Sequence, residues 1–116
     1  MNEEIQQIFS DHGDTILRLG RELAAKIPPK KSSQLRKFLV ELRSIKQYDP
    51  FELNRFRWNC EYIAAREGSL KEVGKYLEAA AKEVHGGKAA ERLECLKAFA
   101  QAIYAHYCFV KGSDNE

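Results

Sequence analysis

The side chains best suited to bind another molecule lie between residues 30 and 66, where basic and aromatic residues are interleaved. Lys30 and Lys31 come just before a predicted helix, whose free backbone N–H groups at the N-terminus favour an anion. Six further candidates follow in the same segment: Arg36, Lys37, Arg43, Arg55, Tyr62 and Arg66. Because cations bind phosphates and aromatic rings stack on bases, this set favours a polyanion such as RNA and predicts binding that weakens as salt rises.

A second interpretation of this segment is that its charges only solvate helix surfaces. The arginines could pair with nearby carboxylates and Tyr62 could simply pack, which would leave no binding site. The carboxylates are Glu41, Glu52, Glu61 and Glu67. Phe51 and Trp58 fall on the helix face opposite Leu53 and Phe56, so they belong either to the core of a central helix or to a surface for a protein partner.

The residues that could carry catalysis are few and badly spaced for it. Neither His85 nor His106 has a Glu three residues earlier, so the Glu-x-x-His pair of a di-iron bundle is missing. No Arg precedes any histidine within seven residues, which disfavours helical-bundle ribonucleases of the HEPN type. Glycine-rich phosphate loops, HExxH and GxSxG are also missing. We therefore predict no enzyme activity, no cofactor and no metal site. His106 and Cys60 are expected to pack in or beside the core. The catalytic alternative is a nuclease that uses His106.

The elements that position these residues are predicted to be helices. The chain of 116 residues contains 13 Ala, 13 Glu and 11 Leu but only 4 Val and 1 Thr, a composition that favours helix over sheet. Apolar spacing predicts helices over about 5–27, 33–47, 50–67, 69–85 and 88–111, and the first could split at residues 11–14. The predicted fold is all-α, a compact bundle of about five helices. We expect a single helical domain over residues 1–112 and a frayed tail over 113–116.

Charge and cysteine content narrow the class of protein further. Net charge is only +2, yet residues 26–75 carry 12 basic and 6 acidic side chains. No run of 18 apolar residues is present, so no membrane partner is expected. The three cysteines form no CxxC pair, which predicts reduced thiols in a cytoplasmic protein.

Three short motifs in this sequence resemble one known family. Ser32-Ser33-Gln34-Leu35-Arg36-Lys37-Phe38 is similar to the Ser/Thr-x-Gln-(Ile/Leu)-Arg-Lys-Phe motif of the small subunit of the type III-A CRISPR effector, the Csm complex. Residues 62–66 resemble its Tyr-x-Ala-x-Arg segment, and residues 99–107 resemble its C-terminal Phe-x-Glu-Ala-Ile-Val-Ala-Tyr element. The resemblance covers about residues 26–112, and the first 25 residues match nothing in the family pattern. Within the last motif, Gln101 departs from the pattern, which has an acidic residue at that position.

This resemblance implies a non-catalytic subunit present in several copies. In that family the small subunits stack as a minor filament beside the backbone subunits, line the channel that holds the guide RNA and target RNA, and contact the target strand. Cleavage belongs to the backbone subunit and to the large subunit. The motif match implies that Arg36, Lys37 and Arg66 contact the RNA backbone. The partners would then be guide and target RNA, the backbone and large subunits, and other copies of the chain. The alternative function is that of a helical protein–protein adaptor without RNA contact.

Overall fold

The computed structural model describes residues 2–112, and these form six α-helices. The helices are α1 (Asn2–Ile8), α2 (Asp14–Ala25), α3 (Ser32–Arg43), α4 (Pro50–Arg66), α5 (Lys71–Lys82) and α6 (Ala89–Lys111). Single 3-10 turns at Gly68–Leu70 and Gly86–Lys88 lead into α5 and α6. The all-helical class is confirmed, and the structure has six helices where about five were predicted, because the first predicted helix is divided near residues 11–14, as its sequence allowed. The predicted frayed tail at 113–116 lies outside the described residues.

The division between α1 and α2 has a local cause. His12 and Gly13 both adopt left-handed backbone conformations, with φ of 59° and 92°, which a continuous helix does not allow. The Asp11 carboxylate accepts hydrogen bonds from the Thr15 hydroxyl and from the Thr15 backbone N–H, the latter at 3.1 Å. The hydroxyl bond holds the pKa of Asp11 below its ordinary value. Asp11 thereby satisfies a free N–H in the first turn of α2.

The buried residues of all six helices form one continuous core. Helix α3 shows how the sequence pattern produces it, since its predicted apolar stripe is buried: Leu35, Phe38, Leu39 and Leu42. The stripe continues to Ile45, which is buried although the helix ends at Arg43, four residues before its predicted end. The Ser44 hydroxyl donates to the Glu41 carbonyl at 2.6 Å, a local bond of the kind that competes with helix continuation.

Helix α6 holds the end of α2 and the loop that follows it. A Cβ atom on Gly20 of α2 would lie 3.1 Å from the Cβ of Ala102, so glycine allows the two helices to pack closely. At the other end of the contact the Lys111 ammonium donates to the carbonyl of Ala25 at 3.0 Å and also to that of Ile27. A lysine in this position satisfies carbonyls that the helix terminus leaves free and stabilises the helix dipole.

Tyr107 fixes the loop between α2 and α3. Its ring is fully buried, and its hydroxyl donates to the Pro28 carbonyl at 2.8 Å and accepts from the Lys31 N–H at 2.8 Å. Between these two contacts Lys30 adopts a left-handed conformation with φ of 67°. The buried tyrosine therefore determines where α3 begins, at Ser32.

Helices α4 and α5 pack closely through Gly74. A Cβ atom there would lie 3.2 Å from both the Ala64 Cβ and the Cys60 carbonyl oxygen. Arg57 and Glu78 join the same two helices through an ion pair of 2.7 Å. This packing buries the Leu53 and Phe56 face of α4 and leaves its opposite face to solvent. Among residues 2–112, no helix has the length and apolar composition that crossing a membrane requires.

Candidate nucleic-acid interface

A groove of about 790 Å³ runs between α3 and α4, and it contains four of the eight predicted site residues. Arg36 and Lys37 reach it from α3, and Tyr62 and Arg66 reach it from α4. These residues lie 25 to 30 positions apart in the chain, so the fold brings together two motifs that are separate in the sequence. We call this the α3–α4 groove.

The cations of the α3–α4 groove are free of carboxylate partners in the part of the chain that the structure describes. Arg36 and Lys37 are exposed and make no ion pair or hydrogen bond with residues 2–112. Arg66 donates to the Tyr62 hydroxyl at 2.9 Å and its guanidinium lies over the Tyr62 ring, 5.6 Å from the centroid. Three positive charges therefore face one groove, and none of them pairs with a carboxylate among the described residues.

Two carboxylates, Glu41 and Glu67, also line the groove, and each contacts a residue other than the three groove cations. Glu41 accepts a hydrogen bond from the Asn59 amide at 2.8 Å, and Glu67 pairs with Lys31 at 3.1 Å. Neither glutamate pairs with a groove arginine among residues 2–112, so the alternative of paired arginines is wrong for Glu41 and Glu67, whereas it is confirmed for Glu52, which pairs with Arg55. The pair between Lys31 and Glu67 also places this lysine at the end of the groove, because Glu67 lines it.

The remaining predicted residues lie outside the groove. Lys30 is exposed in the α2–α3 loop. Arg43 projects from α3 toward α6, where it donates to the Gln101 side-chain oxygen at 2.8 Å. Arg55 pairs with Glu52 at 3.3 Å and lies over the Phe51 ring, 5.4 Å from its centroid. Arg36 and Arg43 therefore contact different parts of the molecule, although they lie only two helical turns apart on α3.

Gln34 is a groove residue that belongs to the first motif but was not among the predicted binding residues. Its side-chain oxygen is buried and has no hydrogen-bond partner among the described residues. The signal that could have identified it is its position two residues before Arg36, in the first helical turn of α3. A buried acceptor without a partner in the protein is uncommon, and such an atom is satisfied by ordered water or by a bound molecule.

Comparison with known protein families adds a second observation to this geometry. A family model described as Csm2 Type III-A matches residues 10–113. The chain belongs to the Csm2 type III-A family. No curated protein and no solved structure matches it. The family match begins 16 residues before the resemblance seen in the motifs, so it includes α2, and only α1 (Asn2–Ile8) precedes it entirely.

Csm2 membership makes this chain a small subunit of the type III-A CRISPR effector and implies association with the other subunits of the Csm complex. Gln101 stands where the motif resemblance led us to expect an acidic residue, and it joins α6 to α3 by accepting a hydrogen bond from Arg43 through a neutral oxygen. This contact is therefore a hydrogen bond and not a salt bridge.

Csm2 subunits are structural, non-catalytic components. Cys60 and His106 are the two side chains that the sequence offered for catalysis. Burial raises the pKa of the Cys60 thiol, which keeps it protonated and a poor nucleophile. His106 is half-buried, with its ring 6.3 Å from that of Phe109. Within residues 2–112, no three His, Cys, Asp or Glu side chains are grouped so that they could hold a metal ion.

Proposed function

We propose that this chain is an RNA-contacting, non-catalytic small subunit of the type III-A effector, and that the α3–α4 groove binds the phosphate backbone of the guide–target duplex or of the target strand. The observation that carries the proposal is the convergence of Arg36, Lys37 and Arg66 on one groove without carboxylate partners among the described residues. Cations placed in this way hold a nucleic acid in register without recognising its sequence. The stacking of copies into a minor filament, and a cytoplasmic location in antiviral defence, are parts of the same proposal.

The contributions of the other predicted residues follow from their positions. Lys31 extends the positive rim of the groove, but its pair with Glu67 reduces its effect. Lys30 lies in the loop next to it and is available for a second phosphate. Arg43 stabilises the contact between α3 and α6, so we expect it to contribute less to RNA affinity than Arg36 does.

The test is a double charge reversal, Arg36→Glu with Arg66→Glu, measured by fluorescence anisotropy on labelled RNA at several salt concentrations. Loss of two phosphate contacts should weaken binding and reduce the slope of log affinity against log salt by about 1.4 to 1.8. The matched control is Arg21→Glu with Lys88→Glu, which removes the same charge from two exposed residues that do not line the groove. The control separates a local contact from a change in net charge.

The expected result is that the groove variant binds RNA more weakly than the control variant, while both keep the helical circular dichroism spectrum of the native chain. Equal affinities and equal salt slopes for the two variants would contradict the assignment of the groove. The exposed rings of Phe51 and Trp58 favour a second candidate, a protein adaptor without RNA contact. Assembly with Csm subunits that is insensitive to salt and protects no RNA would support the adaptor function instead.

A further inference from the structure

One face of α4 carries a row of aromatic and basic side chains, which we call the α4 ridge: Phe51, Arg55, Trp58, Tyr62 and Arg66. At about 100° per residue these five positions fall within an arc of roughly 80°, on the side of the helix away from the core. The three rings are between 49% and 60% exposed, whereas Leu53 and Phe56 on the opposite face are buried. The prediction that Phe51 and Trp58 lie either in the core or on a surface is thus resolved in favour of the surface.

The side chains of the α4 ridge hold one another in place. The Arg55 guanidinium lies over the Phe51 ring, and the Phe51 ring meets Trp58 edge-to-face with centroids 5.9 Å apart. At the other end Arg66 lies over Tyr62 and donates to its hydroxyl. Rings that already pack against neighbours lose less rotamer freedom when a ligand stacks on them. The ridge is therefore ordered before anything binds.

The chemistry of the ridge selects its occupant by charge and by shape. The ridge combines three exposed rings with two cations. Arg66 pairs with no carboxylate among the described residues, whereas Arg55 forms a partly exposed ion pair of 3.3 Å with Glu52, which a bound phosphate would replace. Flat π faces next to guanidinium groups suit a ligand that carries both π faces and negative charge. Single-stranded nucleic acid has both, because its bases can leave their stack and its phosphates repeat along the chain. A duplex presents only its backbone here, since its bases are stacked on one another.

We infer that the α4 ridge binds unpaired nucleotides of an RNA strand, with bases stacked on Trp58 and its neighbouring rings and with phosphates bound by Arg55 and Arg66. The inference rests on the proposed function and deepens it, because it distinguishes an unpaired strand from a duplex. The ridge shares Tyr62 and Arg66 with the α3–α4 groove. A strand can therefore cross from the groove cations onto the aromatic face without leaving positive surface.

Trp58 makes the inference directly measurable, because it is the single tryptophan of the chain. We would titrate the full-length protein with a uridine oligomer, with an RNA duplex of the same length, and with an abasic ribose-phosphate chain of the same length. Stacking should quench Trp58 fluorescence with the oligomer and leave it unchanged with the other two. Trp58→Ala should weaken oligomer binding by about 5- to 150-fold, the range expected for one stacked base, and Trp58→Phe should retain most of the affinity.

The controls separate the failure of this inference from the failure of the proposed function. Leu17→Ala truncates another exposed apolar side chain, on α2, and should leave oligomer affinity unchanged. Equal binding of the oligomer and the abasic chain would overturn base stacking while leaving backbone contact intact. No binding of any RNA would overturn both proposals. If Trp58→Ala instead blocks self-association or assembly and spares oligomer affinity, the ridge is a protein interface and the inference is wrong.

Discussion

Replacing Tyr107 with phenylalanine tests the contact that sets the start of helix α3. The change removes one hydroxyl from a ring that is 0% exposed and leaves the ring itself in place. That hydroxyl bridges the Pro28 carbonyl and the Lys31 N–H, both at 2.8 Å. Tyr107→Phe therefore deletes two hydrogen bonds between α6 and the α2–α3 loop without creating a large cavity.

The expected cost follows from the two partners that are left behind. A net loss of about 1 kcal/mol per hydrogen bond is usual, and a buried partner left unsatisfied costs about 1–3 kcal/mol. Because the two backbone groups are only partly buried, the sum should fall toward the lower end, at about 2–4 kcal/mol. For a domain of this size that corresponds to a decrease in Tm of roughly 8–16 °C.

The assay is urea denaturation followed by circular dichroism, with Tyr62→Phe as the matched control. Tyr62 also loses a hydroxyl that accepts one hydrogen bond, but its side chain is 58% exposed, so its variant should lose less than about 0.5 kcal/mol. Amide hydrogen exchange at Lys31 should accelerate in Tyr107→Phe only. Equal free energies of unfolding for the two variants would refute the argument that this hydroxyl fixes the loop.

Three further predictions concern packing, charge and pH. Gly74→Val should lower the free energy of unfolding by about 1–3 kcal/mol, because the added side chain forces α4 and α5 apart. Its control, Gly87→Val, places the side chain in open space and should change the free energy of unfolding little. Thermal denaturation compares the two variants. Gln101→Glu should turn the hydrogen bond from Arg43 into an exposed salt bridge and raise stability by at most about 1 kcal/mol, a gain that high salt should abolish in the same measurement. Asp11→Asn tests a carboxyl whose pKa is lowered in the folded state by the Thr15 hydroxyl. The ionised carboxyl stabilises the native protein above the ordinary pKa of 3.8, and this stability is lost as pH falls through the lower folded pKa. The difference in Tm between the native protein and the variant should therefore disappear in acid, and a difference that stays constant with pH would contradict this assignment.

The sequence alone was sufficient where structure depends on local periodicity. The spacing of Leu35, Phe38 and Leu42 identified the buried side of α3, and the wheel of α4 placed Trp58 opposite its core face. Helix ends were less predictable: α3 ends at Arg43, next to a local bond from the Ser44 hydroxyl, and two left-handed residues divide the first predicted helix. Such effects involve one or two bonds and leave little trace in an apolar pattern.

The candidate site was only half predictable, because periodicity places a residue on a face but does not say which helix lies beside that face. Arg36 and Arg66 were selected through the family resemblance, and the structure places both in one groove. Arg43 lies seven residues after Arg36, so the two side chains leave α3 in nearly the same direction. The Arg43 end of α3 nevertheless faces α6, where Arg43 donates to Gln101. Contacts between residues that are far apart in sequence decide these pairings, and no local pattern encodes them.

The packing of α2 on α6 has a consequence for how the chain reaches its fold during synthesis. Helices α4 and α5 are neighbours in the sequence and can form their contact as soon as both have left the ribosome. Helix α2 must wait, because Gly20 packs on Ala102 and the last turn of α2 is capped by Lys111. Contacts of such long sequence separation slow folding, since the loop must close before they form. A nascent chain stopped before α6 would therefore present the apolar side of α2, with Leu19 and Leu23, to chaperones and to other unfinished chains.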